Sequence, residues 1–389
     1  MAEGALRVLL VTGEYPPMQG GVADYTRILG EEMAAQGAEV HVLTSPEGRG
    51  PAGSPVTVHA TMKDWGWRSL RAALKRLRAE VRPDVVNIQY QTAAYAMHPA
   101  VNALPLLAPG LPVVTTFHDL KVPYLFPKAG PVRWWANLAL VGGSRAVIVT
   151  NVQDRERLAG YSWLRNMRMI PIGSNVPCAP PADFDAAAWR RLLGLSPEAL
   201  LLCYFGFLNA SKGGEELVEA LGRLVEQGYD AHLLMIGGSV GASDPTNAAY
   251  LETVRALIKR LGLGKRVVWT GHLRDPEVSA SFVASDLCVL PYRDGVSYRR
   301  GSFMAALAHS MPIVTTEPQA PQPWLAHGEN VWLVRVNDAV ALASGCAQIA
   351  AAPQLRQALA RGAAELHTHF SWPEIAAATL EVLHDVSAR

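Results

Sequence analysis

The chain is 389 residues long, two to three times the common domain length of ~150 residues, which excludes a single compact core and leads us to expect two domains. Hydrophobic residues make up 50% of it and charged residues 18%, with 35 Lys and Arg against 34 Asp and Glu for a formal charge of +1. That balance excludes an intrinsically disordered chain and provides no electrostatic footprint for a nucleic-acid partner.

In chain order, the first apolar run, Arg7–Val11, follows Glu3 and is too short for a signal peptide, so it reads as a strand. It leads through a glycine-containing loop into a helix whose apolar positions Val22, Tyr25, Leu29 and Met33 keep helical spacing and which ends at Gly37. Gly20 and Gly21 therefore stand where a strand feeds a helix N-terminus, a place that suits an anion but equally a plain turn. Further strands are expected at Glu39–Leu43, Val85–Ile88, Val113–Thr116 and Ala146–Thr150, an alternation typical of a doubly wound parallel sheet. The longest apolar stretch, Ala100–Val114, is interrupted by Pro105, Pro109 and Pro112 and falls short of the ~20 residues that span a bilayer. A soluble protein is expected, with peripheral contact at a membrane surface left open.

His118 and Asp119 follow the fourth strand, where ligands bind in open α/β sheets. His118 suits a sugar hydroxyl or proton transfer, or is a histidine satisfied inside the domain; Asp119 orients it or caps the next turn. The stretch Lys121–Lys128 with Arg133, Trp134 and Trp135 mixes basic and aromatic residues as an interfacial patch does, and serves equally as an acceptor cleft or core cover. Trp65, Trp67, Gln89, Tyr90, Gln91 and Tyr95 are open to stacking on sugar rings or to packing.

Around Pro171–Pro181 the composition turns to Pro, Gly and small residues, a linker signal that sets domains at 1–176 and 177–370. Asp183 and Asp185 have the spacing of a metal-binding pair but precede a helix, and read as its cap. A second series of strands follows at Leu201–Phe205, His232–Ile236, Val267–Thr270, Leu287–Leu290, Ile313–Thr316 and Trp332–Val334, with helices between. Lys212 lies in the Gly206–Gly214 loop after the first of these strands, a point charge suited to a diphosphate or an ordinary solvated lysine. Arg299 and Arg300 immediately precede Gly301 and Ser302, with Ser302 expected to cap a small-residue helix. Two guanidinium groups and helix amides make an anion site, the alternative being a surface arginine pair. Cys178, Cys203, Cys288 and Cys346 form no CxxC pair and read as buried, reduced thiols of a cytoplasmic protein. Ser371 with Glu374 three residues later is a capping box opening a last helix to His384.

Together these segments resemble the family 4 glycosyltransferases of the GT-B fold. The resemblance rests on the order and spacing of Tyr15 to Pro17 with Gly20 to Val22, Phe117 to Asp119, Ile170 to Asn175, Ser211 to Gly213, Met235 to Gly238, Trp269 to Gly271, Ala284 to Asp286, Pro312 to Val314, His327 to Asn330 and Phe370 to Trp372. It implies two Rossmann-like domains facing a cleft, an acceptor on the first, a nucleoside diphosphate sugar on the second, retention at the anomeric carbon, and no required metal or cofactor. It implies that the helix 371–389 crosses back onto the first domain. By position, Gly20 and Gly21 match the glycine loop, His118 the active-site histidine and Lys212 the diphosphate lysine; Gly206, Gly238, Thr270 and His272 lie where the nucleotide is held.

Two departures bear on the site. The arginine expected five residues before Lys212 is Phe207, and the paired-glutamate signature is replaced by Ser297 and Ala305, so that Asp294 is the carboxylate left nearby. Arg299 and Arg300 then restore the positive charge lost at Phe207. The acceptor is unassigned, and two alternatives stand beside the transferase: a non-hydrolysing sugar-nucleotide 2-epimerase, and a catalytically silent nucleotide-sugar-binding or scaffold protein.

Overall fold

Near-continuous apolar runs form strands buried on both faces, and the amphipathic stretches between them form the helices that cover those faces. The computed structural model describes residues 5–18, 20–120, 130–237 and 245–388. By internal contacts the chain divides into two compact units, Met1–Asn175 with Phe370–Arg389, and Val176–His369.

In the first unit the order is β1 (Arg7–Val11), α1 (Gly21–Ala35), β2 (Glu39–Thr44), β3 (Thr57–Ala60), α2 (Trp67–Glu80), β4 (Val85–Tyr90), α3 (Leu104–Leu107), β5 (Val113–Phe117), α4 (Gly130–Gly143), β6 (Ala146–Val149), α5 (Val152–Ala159) and β7 (Met167–Met169). The sheet is parallel with order β3-β2-β1-β4-β5-β6-β7. Its order reverses between β1 and β4, which places a crevice beyond their carboxyl ends. The edge strands β3 and β7 had no counterpart in the sequence reading. β3 is half-buried or exposed and β7 alternates Met-Arg-Met, so neither has a continuous apolar run.

The second unit contains α6 (Ala186–Leu192), β8 (Leu200–Phe205), α7 (Gly214–Glu226), β9 (Ala231–Ile236), α8 (Pro245–Arg260), β10 (Val267–Trp269), α9 (Asp275–Val283), β11 (Leu287–Leu290), α10 (Gly301–Ala308), β12 (Ile313–Thr316), β13 (Trp332–Val334), α11 (Ala339–Ala351) and α12 (Pro353–Thr368). Its parallel sheet runs β10-β9-β8-β11-β12-β13, reversing between β8 and β11. Asp185 caps α6 by accepting from the Ala188 amide, a structural role for that aspartate. Cys203, Cys288 and Cys346 are buried free thiols, but Cys178 is exposed, because it sits in the Pro-rich connection rather than on a strand.

The last helix, α13 (Trp372–Ser387), belongs to the first unit: Ile375, Ala376, Leu383 and Val386 join Tyr25, Leu29 and Met33 in one core. Ser371 occupies its N-cap position, but its side chain makes no capping hydrogen bond, so the expected capping box is not formed. Docking relies instead on Trp372, whose Nε1 donates to the Ser174 carbonyl at 2.7 Å and whose ring meets Tyr25 at 5.2 Å. Trp372→Ala is expected to destabilise this unit by about 3 kcal/mol, read as lost hydrogen-exchange protection on α1 and α13 with the second unit's protection unchanged.

Candidate functional site

In the first unit the loop after β1 meets the loop after β4. A Cβ on Gly13 would lie 1.9 Å from the Ala94 carbonyl oxygen, and the Tyr95 hydroxyl lies 2.8 Å from the carbonyls of both Val11 and Gln89. Trp65 packs edge-on against Tyr95 at 4.7 Å, so these two rings and Tyr90 are core, while Trp67 is exposed. Gly20 is the N-cap of α1 in extended conformation and Gly21 its first residue. The space a Gly20 side chain would take is filled by the Glu14 carboxylate, whose pKa is raised by burial.

His118 follows β5 and lies edge-on to Tyr25 at 4.6 Å. Its tautomer follows from the network behind it. Asn87 Nδ2 donates to the Val114 carbonyl and Thr116 Oγ1, leaving Asn87 Oδ1 to accept from Gln89 Nε2. Gln89 Oε1 therefore accepts from His118 Nε2 at 2.8 Å, which puts the ring proton on Nε2 and the lone pair on Nδ1. Burial pushes the His118 pKa down to about 3, so the ring is neutral near pH 7. Gln89 supplies the orienting bond to Nε2, a role that sequence spacing alone did not give it.

In the second unit the functional loops follow β8 and β11, the two strands at its reversal. Gly213, at φ +69°, lets them touch: a Cβ there would lie 1.9 Å from the Pro291 carbonyl oxygen. The Arg293 amide donates to the Ser211 carbonyl at 2.9 Å, and its guanidinium reaches Glu215 and Glu216 at 2.7 Å each. So fixed, Lys212 Nζ lies 5.1 Å from the Tyr292 ring centroid and the Arg300 guanidinium 4.7 Å from the same centroid. Burial, and secondarily the Arg300 charge, push the Lys212 pKa down to about 8. Asp294 pairs with Arg300, which leaves Lys212, Arg300 and Asp294 with one net positive charge over a buried aromatic ring.

Arg300, rather than Ser302, is the N-cap of α10, and no side chain caps that end. Ser302 is buried one position into the helix and its Oγ bonds the Tyr292 hydroxyl at 2.6 Å, because Tyr292 lies beneath the helix start. Tyr292 thus joins Lys212, Arg300 and Ser302, and its place directly after a buried strand was the available signal for it. Gly301 is exposed and Arg299 is half-buried. Along the same sheet edge Gly206 (φ +111°) lies near Ser302, and Gly237 bridges Gly271 while its amide donates to Thr270 Oγ1 at 3.1 Å. His272 is exposed beyond Gly271; Gly238 and the stretch Lys121–Lys128 lie outside the described residues. Among the described residues no three His, Cys, Asp or Glu side chains are grouped to hold a metal ion, and no helix is long and apolar enough to cross a membrane.

A model described as Glycosyltransferase Family 4 matches residues 19–176, and one described as Glycosyl transferases group 1 matches residues 199–352. The chain belongs to these glycosyltransferases. This glycosyltransferase is 26% identical over 366 residues to the GDP-mannose-dependent alpha-(1-6)-phosphatidylinositol monomannoside mannosyltransferase of Mycobacterium tuberculosis, covering 86% of this chain and 88% of the relative. It is 27% identical over 416 residues to the glycogen synthase of the same organism, covering 97% and 94%. Among solved structures, Anabaena HepE in complex with UDP superposes with a TM-score of 0.76 at 18% identity, covering 98% of this chain and 100% of that one. The likeness in fold is GT-B. The epimerase alternative finds no support in these matches.

Proposed function

We propose that this glycosyltransferase moves a sugar from a nucleoside diphosphate sugar to a hydroxyl acceptor with retention at the anomeric carbon, and that the second unit holds the donor diphosphate. The observation carrying this is the convergence of Lys212 and Arg300 on the Tyr292 ring at the uncapped start of α10. Two crowded cations with one carboxylate between them are poorly satisfied until an anion arrives, and helix amides add donors aimed the same way. On this reading they stabilise the leaving diphosphate, which takes the electron pair of the broken C1–O bond, while the acceptor oxygen forms the new bond to C1 and passes its proton to the departing diphosphate oxygen. Side-chain cations supply that neutralisation without a divalent metal.

The neutral His118 then acts through Nδ1 as an acceptor for a sugar hydroxyl, since its Nε2 proton is committed to Gln89. His118→Ala should lower turnover by roughly 10- to 100-fold, the loss of one well-placed hydrogen bond. The activity profile should show no step from this residue between about pH 5 and 8. Unaltered turnover would remove His118 from the site.

The relatives named above carry GDP-mannose in one name and UDP in another, which supports a nucleoside diphosphate without choosing the base. A thermal-shift screen of UDP, GDP, ADP and their sugars tests the reading, because a ligand at ~100 times its dissociation constant stabilises by ~2.7 kcal/mol. A silent binding protein keeps one observation in its favour, the buried Ala305 where the family signature has a carboxylate. Nucleotide binding without release of nucleoside diphosphate in the presence of any sugar, glycan or lipid acceptor would decide for it.

A further inference from the structure

The outward side of α4 carries no charge. Its exposed positions include Val132, Trp135, Ala139 and Gly142, three or four residues apart and so on one stripe, where a surface helix ordinarily presents charged residues. Val132 is 71% and Trp135 70% exposed. Trp134, by contrast, turns inward, its Nε1 donating to the Tyr161 hydroxyl at 2.8 Å, so only one of the adjacent tryptophans is a packing residue. The stripe extends at its far end. The Trp163 ring, itself 48% exposed, lies 3.7 Å from where a Gly142 Cβ would be, and Pro105 lies 3.0 Å from the corresponding point on Gly143, bringing in α3 with Leu106 at 78% exposure.

The charge close to this face is mainly positive, with Asp385 and Glu381 at its margin. Arg145 and Arg165 line a surface cavity with Trp163, and Arg78 donates to the Pro109 carbonyl just beyond α3. Between Asp84 and Asp154 the sequence holds one acidic residue, Asp119. An adjoining cavity shares Arg165 and adds Arg168 and Asp385, and Arg168 is also the partner of Glu381. We propose that this face seats on an anionic lipid surface, with Leu106, Val132, Trp135 and Trp163 entering the interface and Arg145 and Arg165 meeting lipid phosphates. A second copy of the chain is the poorer fit, because a two-fold contact sets the patch against itself and brings Arg145 and Arg165 together with their counterparts, with the nearest carboxylates at the margin and one of them, Glu381, already paired with Arg168. The inference does not depend on the proposed donor.

The test is co-sedimentation of the full chain with phosphatidylcholine vesicles and with vesicles half phosphatidylglycerol, at low and high salt. The expected result is binding to the anionic vesicles that weakens with salt, and little binding to phosphatidylcholine alone. Trp135→Glu should lower partitioning about tenfold by removing buried apolar area, with an unchanged melting midpoint showing that the unit is folded. If that variant does not fold, Arg145→Glu with Arg165→Glu takes its place and should abolish the preference for anionic lipid. No binding to anionic vesicles at low salt, or equal partitioning of the native chain and the folded variant, would overturn the proposal. So would a concentration-dependent dimer that Trp135→Glu dissolves.

Discussion

Nucleoside diphosphate affinity should fall as pH rises above about 8, while the ligand-free protein becomes more stable over the same interval. Both effects come from Lys212, whose pKa is held down to about 8 from an ordinary 10.5, first by burial and then by Arg300. Below pH 8 the folded and unfolded chains both carry the proton and the folded one bears its full burial penalty. Between the two values the folded protein releases a proton that the unfolded chain keeps, so stability increases with pH there. A bound diphosphate favours the ammonium and raises its pKa. Affinity is then level below pH 8 and declines above it by up to about tenfold per pH unit, until the pKa of the complex is reached. Lys212→Met should flatten both slopes. Arg300→Ala should weaken UDP or GDP binding by ~1.5–3 kcal/mol, roughly 10- to 150-fold, if it makes one charge-assisted contact. It should also move the onset of the decline to higher pH, since it removes a repelling charge and frees Asp294. Calorimetry across this range checks each part, and an Arg300→Ala protein with native affinity would end the diphosphate assignment.

How much of this was legible beforehand depends on whether a feature is local. The strands at the centre of both sheets are buried on both faces and show as apolar runs, so β1, β4, β8 and β11, and with them the loops carrying Lys212 and Arg300, could be placed from sequence. β3 and β7 could not, because an edge strand needs apolar residues on one side only and these are short. Ser302 looked like a cap because it precedes a small-residue run; the N-cap is Arg300, two residues earlier, and the serine is drawn inward by Tyr292, ten positions away in the chain. Gln89 and His118 meet across neighbouring strands, a relation set by the register of β4 and β5, in which Tyr90 pairs with Phe117. The missing arginine at Phe207 was visible, but that Arg300 shares a ring with Lys212 depends on how the loop after β11 returns, which no spacing rule encodes.

Gly213→Ala should be the most damaging single-methyl change in the site, destabilising the second unit by about 3 kcal/mol or more and abolishing nucleotide binding with it. Two costs combine. At φ +69° a side chain is strained wherever it points, and here the new Cβ would lie 1.9 Å from the Pro291 carbonyl oxygen, a backbone atom that moves only if the loop carrying Tyr292 and Arg300 moves. Gly20 and Gly21 of the first unit provide the contrast. Gly20 has an extended φ that any residue adopts, and its added Cβ would meet only the tip of the Glu14 side chain, which can swing away, so Gly20→Ala should cost about 1 kcal/mol or less. Gly21 opens α1 with nothing within 4 Å of its added Cβ, and alanine there should be neutral or stabilising by up to about 1 kcal/mol through the unfolded state. Denaturation midpoints of the three variants rank them, and a native midpoint for Gly213→Ala would contradict the close approach of the two loops. Turnover adds a second reading for Gly21. A Gly21→Ala protein that is as stable as the native one but transfers sugar more slowly would show that the open space beside α1 is filled by substrate. That loss would separate an anion-cradling glycine from one that merely makes a turn.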